Sequence, residues 1–233
     1  MTHAVAQGSV KSLVQTAIDA VNGYIRDKDL RVGQSLPGEA FFAERLGVSR
    51  AVMREAFGAL AALKLIDVAN GRKPRVGALD GSVIAASLDH AISTAQINVA
   101  DVWDVRRTIE QRTAALAAEN ATPEQAARIV ELAEELALHH SEGDATTDAD
   151  IAFHLAIAEA SGNELFKQIV ASFTPLMRIA VPRAWRTRHS PEQQVDILDR
   201  HRRLARSIAD RDPKAAARWM EAHFDEAIGA LLR

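Results

Sequence analysis

The sequence has 233 residues, of which 48% are hydrophobic and 25% charged, a composition typical of a globular protein of one or two domains. It contains no cysteine, which excludes disulfides, thiolate metal ligands and cysteine nucleophiles. The charge is uneven, because residues 1–78 carry a net charge of +4 and the remainder −7. A basic segment joined to an acidic body favours a polyanion as the partner of the basic segment.

Apolar residues recur at helical spacing along most of the chain, and strand-like segments are scarce. We therefore predict a mostly α protein with two domains, residues 1–78 and residues 79–233. No apolar run approaches the roughly 20 residues of a membrane span, and the first nine residues lack the pattern of a signal peptide. We expect a cytoplasmic protein with no membrane contact.

The first domain opens with three predicted helices, over residues 9–27, 38–46 and 49–64. Two short apolar runs then flank the turn Asn70-Gly71, a pattern that predicts a β-hairpin. Three helices followed by a hairpin make a winged helix-turn-helix. The third helix of such a domain fits the major groove of DNA, where its first residues reach the base edges.

Arginines lie at the start of the predicted third helix and basic residues surround the hairpin turn. Arg50 and Arg54 are one turn apart on one helix face, and Ser49 can cap the helix and leave N–H groups for a phosphate. An exposed arginine pair is more often a solvated face, but its place between a tight turn and a basic hairpin favours DNA. The predicted DNA contacts are Arg45, Ser49, Arg50, Arg54, Gly71, Arg72 and Lys73.

The second domain is predicted to be an all-α bundle of about seven helices. Its clearest helix starts are Thr122-Pro123, Ser190-Pro191 and Asp212-Pro213, where a capping side chain precedes a proline at the first helical position. The predicted helices cover residues 81–94, 100–120, 123–140, 145–160, 163–181, 191–210 and 213–232.

Three histidines and one aspartate of this domain are candidate metal ligands. Asp150 and His154 are spaced i, i+4 and so share one helix face, while His201 and His223 lie on two later helices. Such a set could converge inside a bundle and would suit a divalent ion such as Zn, Ni, Mn, Fe or Co. The alternative is that each histidine is an ordinary surface or core residue, which for any single one is the commoner case.

Two motifs of the first domain resemble the signature of GntR-type regulators. These are LPGE at residues 36–39 and LGVSRAVMREA at residues 46–56. The resemblance implies DNA contacts by Ser49, Arg50 and Arg54, with Gly71 at the tip of the wing. One departure is Ala40, which stands where many members carry an arginine that touches DNA, so the operator preference is expected to differ.

The second domain resembles the FCD ligand-binding domain of the FadR subfamily. The motifs are VRRTIE at 105–110, DIAFH at 150–154, SGN at 161–163, His201, and MEAH at 220–223. The resemblance implies that Asp150, His154, His201 and His223 bind a metal. It also implies that Arg106 clamps an effector carboxylate beside that metal, although Arg106 could instead pair with Glu110, or do both. Asn163 is a further candidate for the effector pocket, or equally a turn residue.

The combined hypothesis is a homodimeric regulator, a repressor or alternatively an activator, that binds a double-stranded DNA operator. A small organic acid such as a sugar acid or hydroxy acid would bind at the metal and Arg106 and change the DNA affinity. Two alternatives remain from the residues alone. The three-His, one-Asp site could activate water in a metal-dependent enzyme, with Glu110 or Glu159 as its base, or the metal itself could be the effector.

Overall fold

The structure is a computed structural model that describes residues 12–139, 144–186 and 190–231. The chain divides into two compact units, Met1–Val83 and Ile84–Arg233. The boundary between the units lies five residues after the predicted one and falls within a helix that starts at Ser82.

The N-terminal unit contains the three helices and the hairpin that were predicted. Its elements are α1 Leu13–Asp27, α2 Glu39–Leu46, α3 Arg50–Ala62, β1 Ile66–Asp67 and β2 Arg75–Val76. The two strands are antiparallel, with Ile66 opposite Val76. The prediction of a winged helix-turn-helix is confirmed.

The turn between α2 and α3 determines where α3 begins. Gly47 ends α2 in the left-handed region, at φ +65°, a conformation that glycine adopts without the strain of a Cβ. The Ser49 hydroxyl then accepts a hydrogen bond from the Val52 amide and caps α3. Met53 and Leu60 of α3 are buried in the core of the unit, so the helix packs by one face and leaves the other to solvent.

The C-terminal unit is helical throughout its described part. Its elements are α4 Ser82–Ser93, α5 Val99–Asn120, α6 Pro123–His139, α7 Asp144–Ala160, α8 Glu164–Ser172, α9 Thr174–Arg186, α10 Pro191–Ala209 and α11 Pro213–Leu231. None of the described helices of the protein is long and apolar enough to cross a membrane.

The single helix predicted over residues 163–181 is wrong, because the structure divides it into α8 and α9 at Phe173. Pro175 lies in the first turn of α9. A proline has no amide hydrogen, so Pro175 cannot donate a backbone hydrogen bond back to α8. The described part of this unit therefore has eight helices instead of about seven.

Helix α5 lies at the centre of the C-terminal unit, where it packs against α7, α10 and α11. The helix starts with a capping box in which Asn98 and Asp101 each accept a hydrogen bond from the other's backbone amide. Apolar side chains such as Phe153, Leu204 and Phe224 are fully buried between these helices. The same four helices carry the buried polar side chains of the candidate site.

Candidate functional site

The four side chains predicted as metal ligands converge inside the C-terminal unit. Each offers one ligand atom, and the four atoms lie within 4.8 Å of one another. The side chains are buried, with exposed fractions between 1% and 7%. Helices α7, α10 and α11 contribute them: Asp150, His154, His201 and His223.

Hydrogen bonding determines which nitrogen of His201 faces the cluster. Its Nδ1 lies 2.8 Å from the Ile197 carbonyl oxygen, which can only accept, so Nδ1 carries the hydrogen. The Nε2 of a neutral His201 ring then presents a lone pair, 3.3 Å from Asp150 Oδ1. His201 Nε2 has no hydrogen-bond partner among the described residues, and a metal ion bound by both atoms would satisfy it.

His154 is held in the same manner by a side chain. Its Nδ1 makes a hydrogen bond with Glu110 Oε2, and an ionised carboxylate can only accept. The buried Nε2 of His154 has no hydrogen-bond partner among the described residues. A buried nitrogen without a partner is costly in a native protein, and a metal ion would satisfy it.

The electrostatics of the site favour ionised carboxylates. Burial by itself raises the pKa of Asp150, but the interaction with His201 and the positive charge of Arg106 nearby outweigh burial and lower the pKa below its ordinary value. For Glu110, burial is likewise outweighed, first by the positive charge of Arg106 and then by the interaction with His154, and its pKa is lowered. One carboxylate and three imidazoles are a donor set that suits Zn, Ni, Mn, Fe or Co, so the residues fit a divalent ion.

Arg106 lies next to this cluster and is only 1% exposed. Its Nε donates to Glu110 Oε1 over 2.7 Å, so the pairing considered from the sequence is present. The guanidinium carbon lies 4.8 Å from the ring centroid of Trp103 and 5.1 Å from that of Phe224, and Nη1 contacts Met177 Sδ. A buried cation in an aromatic environment favours an anion as the ligand of this region.

Other predicted residues lie apart from the cluster. Asn163 is exposed and its side-chain oxygen accepts hydrogen bonds from the Leu165 and Phe166 amides, which caps α8. The structure thus does not bring Asn163 to the buried ligands. Glu159, considered as a catalytic base, is 57% exposed and pairs with Lys167 at 2.9 Å.

The predicted DNA contacts all lie on the surface of the N-terminal unit. Arg50 is the first residue of α3 and Arg54 lies one turn further along. Gly71 has φ +74° in the turn between the strands. None of the basic members of the set makes an ion pair with another residue of the described ranges: Arg45, Arg50, Arg54, Arg72 and Lys73. Free cations on a helix that fits a groove are available to phosphates and base edges.

Fold and site together define a transcriptional regulator with a winged helix-turn-helix unit and a helical unit that encloses a polar cluster. Residues 13–76 match the family described as "Bacterial regulatory proteins, gntR family", and residues 101–226 match the FCD domain. The chain belongs to the GntR family of bacterial regulatory proteins and carries an FCD domain.

Proteins similar to this chain are regulators too. The Glc operon transcriptional activator of Escherichia coli K12 is 31% identical over 220 residues, which cover 91% of this chain and 86% of that protein. The galactonate operon transcriptional repressor of the same strain is 28% identical over 190 residues, 79% of this chain and 81% of that protein. A solved structure of Streptococcus agalactiae GntR has the same fold, with a TM-score of 0.65, 23% identity, and coverage of 93% of this chain and all of that one. The chain is accordingly a transcription regulator and not an enzyme.

Proposed function

We propose that the protein is a homodimeric, metal-dependent transcriptional repressor whose operator affinity changes when a small organic acid binds in the C-terminal unit. The observation that carries this proposal is the buried set of three histidines and one aspartate next to the buried guanidinium of Arg106. Operator binding by a cytoplasmic dimer would use the exposed arginines of α3.

A divalent ion held by the four clustered side chains would supply a Lewis acid with coordination positions open to an oxygen of the effector. The protein's own contribution is the orientation of the ligands. Ile197 and Glu110 fix the rings of His201 and His154 from outside the cluster. Burial keeps bulk water away and strengthens the electrostatic attraction for an anion.

Arg106 would bind the carboxylate of the effector. A guanidinium has five N–H donors in a planar fork, and Glu110 uses the one on Nε. The donors on Nη1 and Nη2 can pair with a planar carboxylate once Nη1 leaves Met177 Sδ. We therefore propose a small acid with a carboxylate for Arg106 and a further oxygen for the metal, which describes a hydroxy acid or a sugar acid. The name of the galactonate operon repressor is consistent with such a ligand.

The DNA-binding half of the proposal depends on α3. The α3 N-terminus, capped by Ser49, presents Arg50 to a base edge or phosphate. Two copies in a dimer would read half-sites about one helical turn apart. An effector that prefers one of two dimer states changes DNA affinity by its differential binding, typically ~1–3 kcal/mol or ~5–150-fold.

The test is a titration of operator binding with metal and acid separately. Metal-free protein, Zn²⁺-loaded protein, and Zn²⁺-loaded protein with each of a panel of hydroxy and sugar acids are added to labelled DNA from the upstream region of the protein's own gene. We expect at least one acid to weaken binding ~5–150-fold, and only when Zn²⁺ is present. Tighter binding would favour an activator or a repressor that needs the acid as co-repressor, and a response to Zn²⁺ alone would favour a metal sensor. No response to any combination would contradict the proposal.

A further inference from the structure

Glu110 is a buried carboxylate that the metal ligands and the DNA contacts do not account for. It lies in the middle of α5 with an exposed fraction of 1%. Its two oxygens have different partners: Oε1 is 2.7 Å from Arg106 Nε, and Oε2 accepts a hydrogen bond from His154 Nδ1. A single side chain thus joins the proposed effector-binding arginine to a proposed metal ligand.

We infer that Glu110 is a positioning residue that holds His154 in the Nδ1–H tautomer and thereby presents its Nε2 to a divalent metal ion. The inference rests on the proposed function, because it concerns the same cluster. Nδ1 must donate when its partner is a carboxylate, and the second nitrogen of a neutral ring is then left with a lone pair. That nitrogen, Nε2, is buried and has no hydrogen-bond partner in the described part of the chain.

His201 has the same arrangement as His154. Its Nδ1 faces the Ile197 carbonyl at 2.8 Å, and its Nε2 faces Asp150. Two of the three histidines therefore direct Nδ1 to an acceptor outside the cluster and Nε2 to its interior. The acceptors differ, because a backbone carbonyl is neutral and Glu110 is charged. The positive charge of Arg106 balances the charge of Glu110 in the buried site. Glu110 accepts one hydrogen bond from Arg106 and one from His154.

Replacing Glu110 by glutamine tests its effect on the His154 tautomer separately from its role in packing. The amide has nearly the same shape, but only one of its two heavy atoms can accept a hydrogen bond. If the amide oxygen accepts from Arg106, its nitrogen faces His154 and favours the tautomer with a lone pair on Nδ1 and a hydrogen on Nε2. That hydrogen blocks the atom that would bind the metal. Loss of an outer-shell partner of a metal-bound histidine typically costs 10–100-fold in metal affinity.

The experiment measures the Zn²⁺ dissociation constant by competition with a chromogenic chelator in the full-length wild type, Glu110→Gln and Glu135→Gln. Glu135 is a matched control, because it is 44% exposed and pairs with Arg128 at the surface of α6. We expect affinity to fall ~10–100-fold in Glu110→Gln and to stay unchanged in Glu135→Gln. Equal affinities in all three proteins would overturn the inference and leave the proposed metal site intact. A wild type that binds no Zn²⁺ would overturn both.

A second measurement tests which nitrogen of His154 binds the metal, and it can be made even if Glu110→Gln does not fold. ¹⁵N NMR of the histidine rings in Zn²⁺-loaded wild type distinguishes a nitrogen that carries hydrogen from one that binds metal. We expect hydrogen on Nδ1 of His154 and metal at Nε2. Metal at Nδ1 would contradict a positioning role for Glu110, because that nitrogen could no longer donate to the carboxylate.

Discussion

The two units place their functional side chains in opposite environments. The arginines of α3 are exposed and make no ion pair with another described residue, whereas Arg106 and the clustered histidines are almost completely buried. An exposed side chain can be changed with little effect on stability. A buried polar side chain is part of a hydrogen-bonded network, so its loss affects both the fold and the site. The comparison predicts that substitutions of the α3 arginines change DNA binding without changing the free energy of unfolding. Substitutions in the buried cluster of the C-terminal unit are expected to change both ligand binding and the free energy of unfolding.

The largest effect is expected for Arg50→Ala, which tests whether an exposed arginine of α3 contributes to DNA binding and not to stability. A bidentate arginine contact with a base is worth ~1–3 kcal/mol, so specific operator affinity should fall ~5–150-fold. The free energy of unfolding should not change, because the side chain is exposed. Fluorescence anisotropy and urea unfolding measure the two quantities. Arg26→Ala, an exposed arginine at the end of α1, is the control, and equal affinities of the two variants would contradict the assignment.

Metal binding at the clustered side chains should raise the free energy of unfolding of the protein. A ligand that binds only the native state at 100 times its dissociation constant stabilises it by ~2.7 kcal/mol. We expect Zn²⁺ to raise the free energy of unfolding of the wild type by about this amount. His154→Ala removes a ligand and should lose both the stabilisation and the bound metal, as measured by urea unfolding and elemental analysis. A stoichiometric metal content in the variant would exclude His154 from the site.

Arg106→Lys should remove the response to the acid while preserving DNA binding. Lysine keeps a positive charge near Glu110 but lacks the planar fork that pairs with a carboxylate. The coupling of typically ~1–3 kcal/mol between acid and operator should be lost. The measurement is the operator titration with Zn²⁺, with and without the active acid. If the acid released DNA from this variant as it does from the wild type, the proposal that Arg106 binds the effector carboxylate would be wrong.

The smallest effect is expected at a partly exposed pair. Arg202 donates to Glu134 at 2.8 Å and this hydrogen bond lowers the pKa of Glu134 below its ordinary 4.5. A lowered pKa in the folded state stabilises the protein above the ordinary value, and the contribution is lost as pH falls through the folded value. Glu134→Gln should therefore lose under about 1 kcal/mol of unfolding free energy at neutral pH and nothing in strong acid. A difference independent of pH would contradict this explanation.

Local patterns predicted most of the fold. Capping residues and prolines marked the starts of α6, α10 and α11, and the i, i+4 spacing placed Asp150 and His154 on one face. The prediction of one helix over residues 163–181 was wrong because the apolar spacing continues across Pro175. The backbone hydrogen bonds do not continue there, since proline has no amide hydrogen.

The contact between Glu110 and His154 was not predictable from spacing. The two residues are 44 positions apart on different helices, so only the packing of α5 against α7 brings them together. The sequence pattern indicated Glu110 as a neighbour of Arg106 one turn away and as a candidate base of an enzyme, but not as a partner of His154. Helix propensity and periodicity describe one element at a time, whereas a site in a bundle depends on how elements pack.

The position of Arg106 over the ring of Trp103 supplies the protein with an optical reporter. Indole emission depends on the electric field across the ring, and here a full positive charge lies 4.8 Å from its centroid. An acid that pairs with the guanidinium changes that field, so its arrival should shift the fluorescence spectrum without any added dye. The sequence has only three tryptophans, and replacing the other two with phenylalanine would leave a signal from the proposed pocket alone.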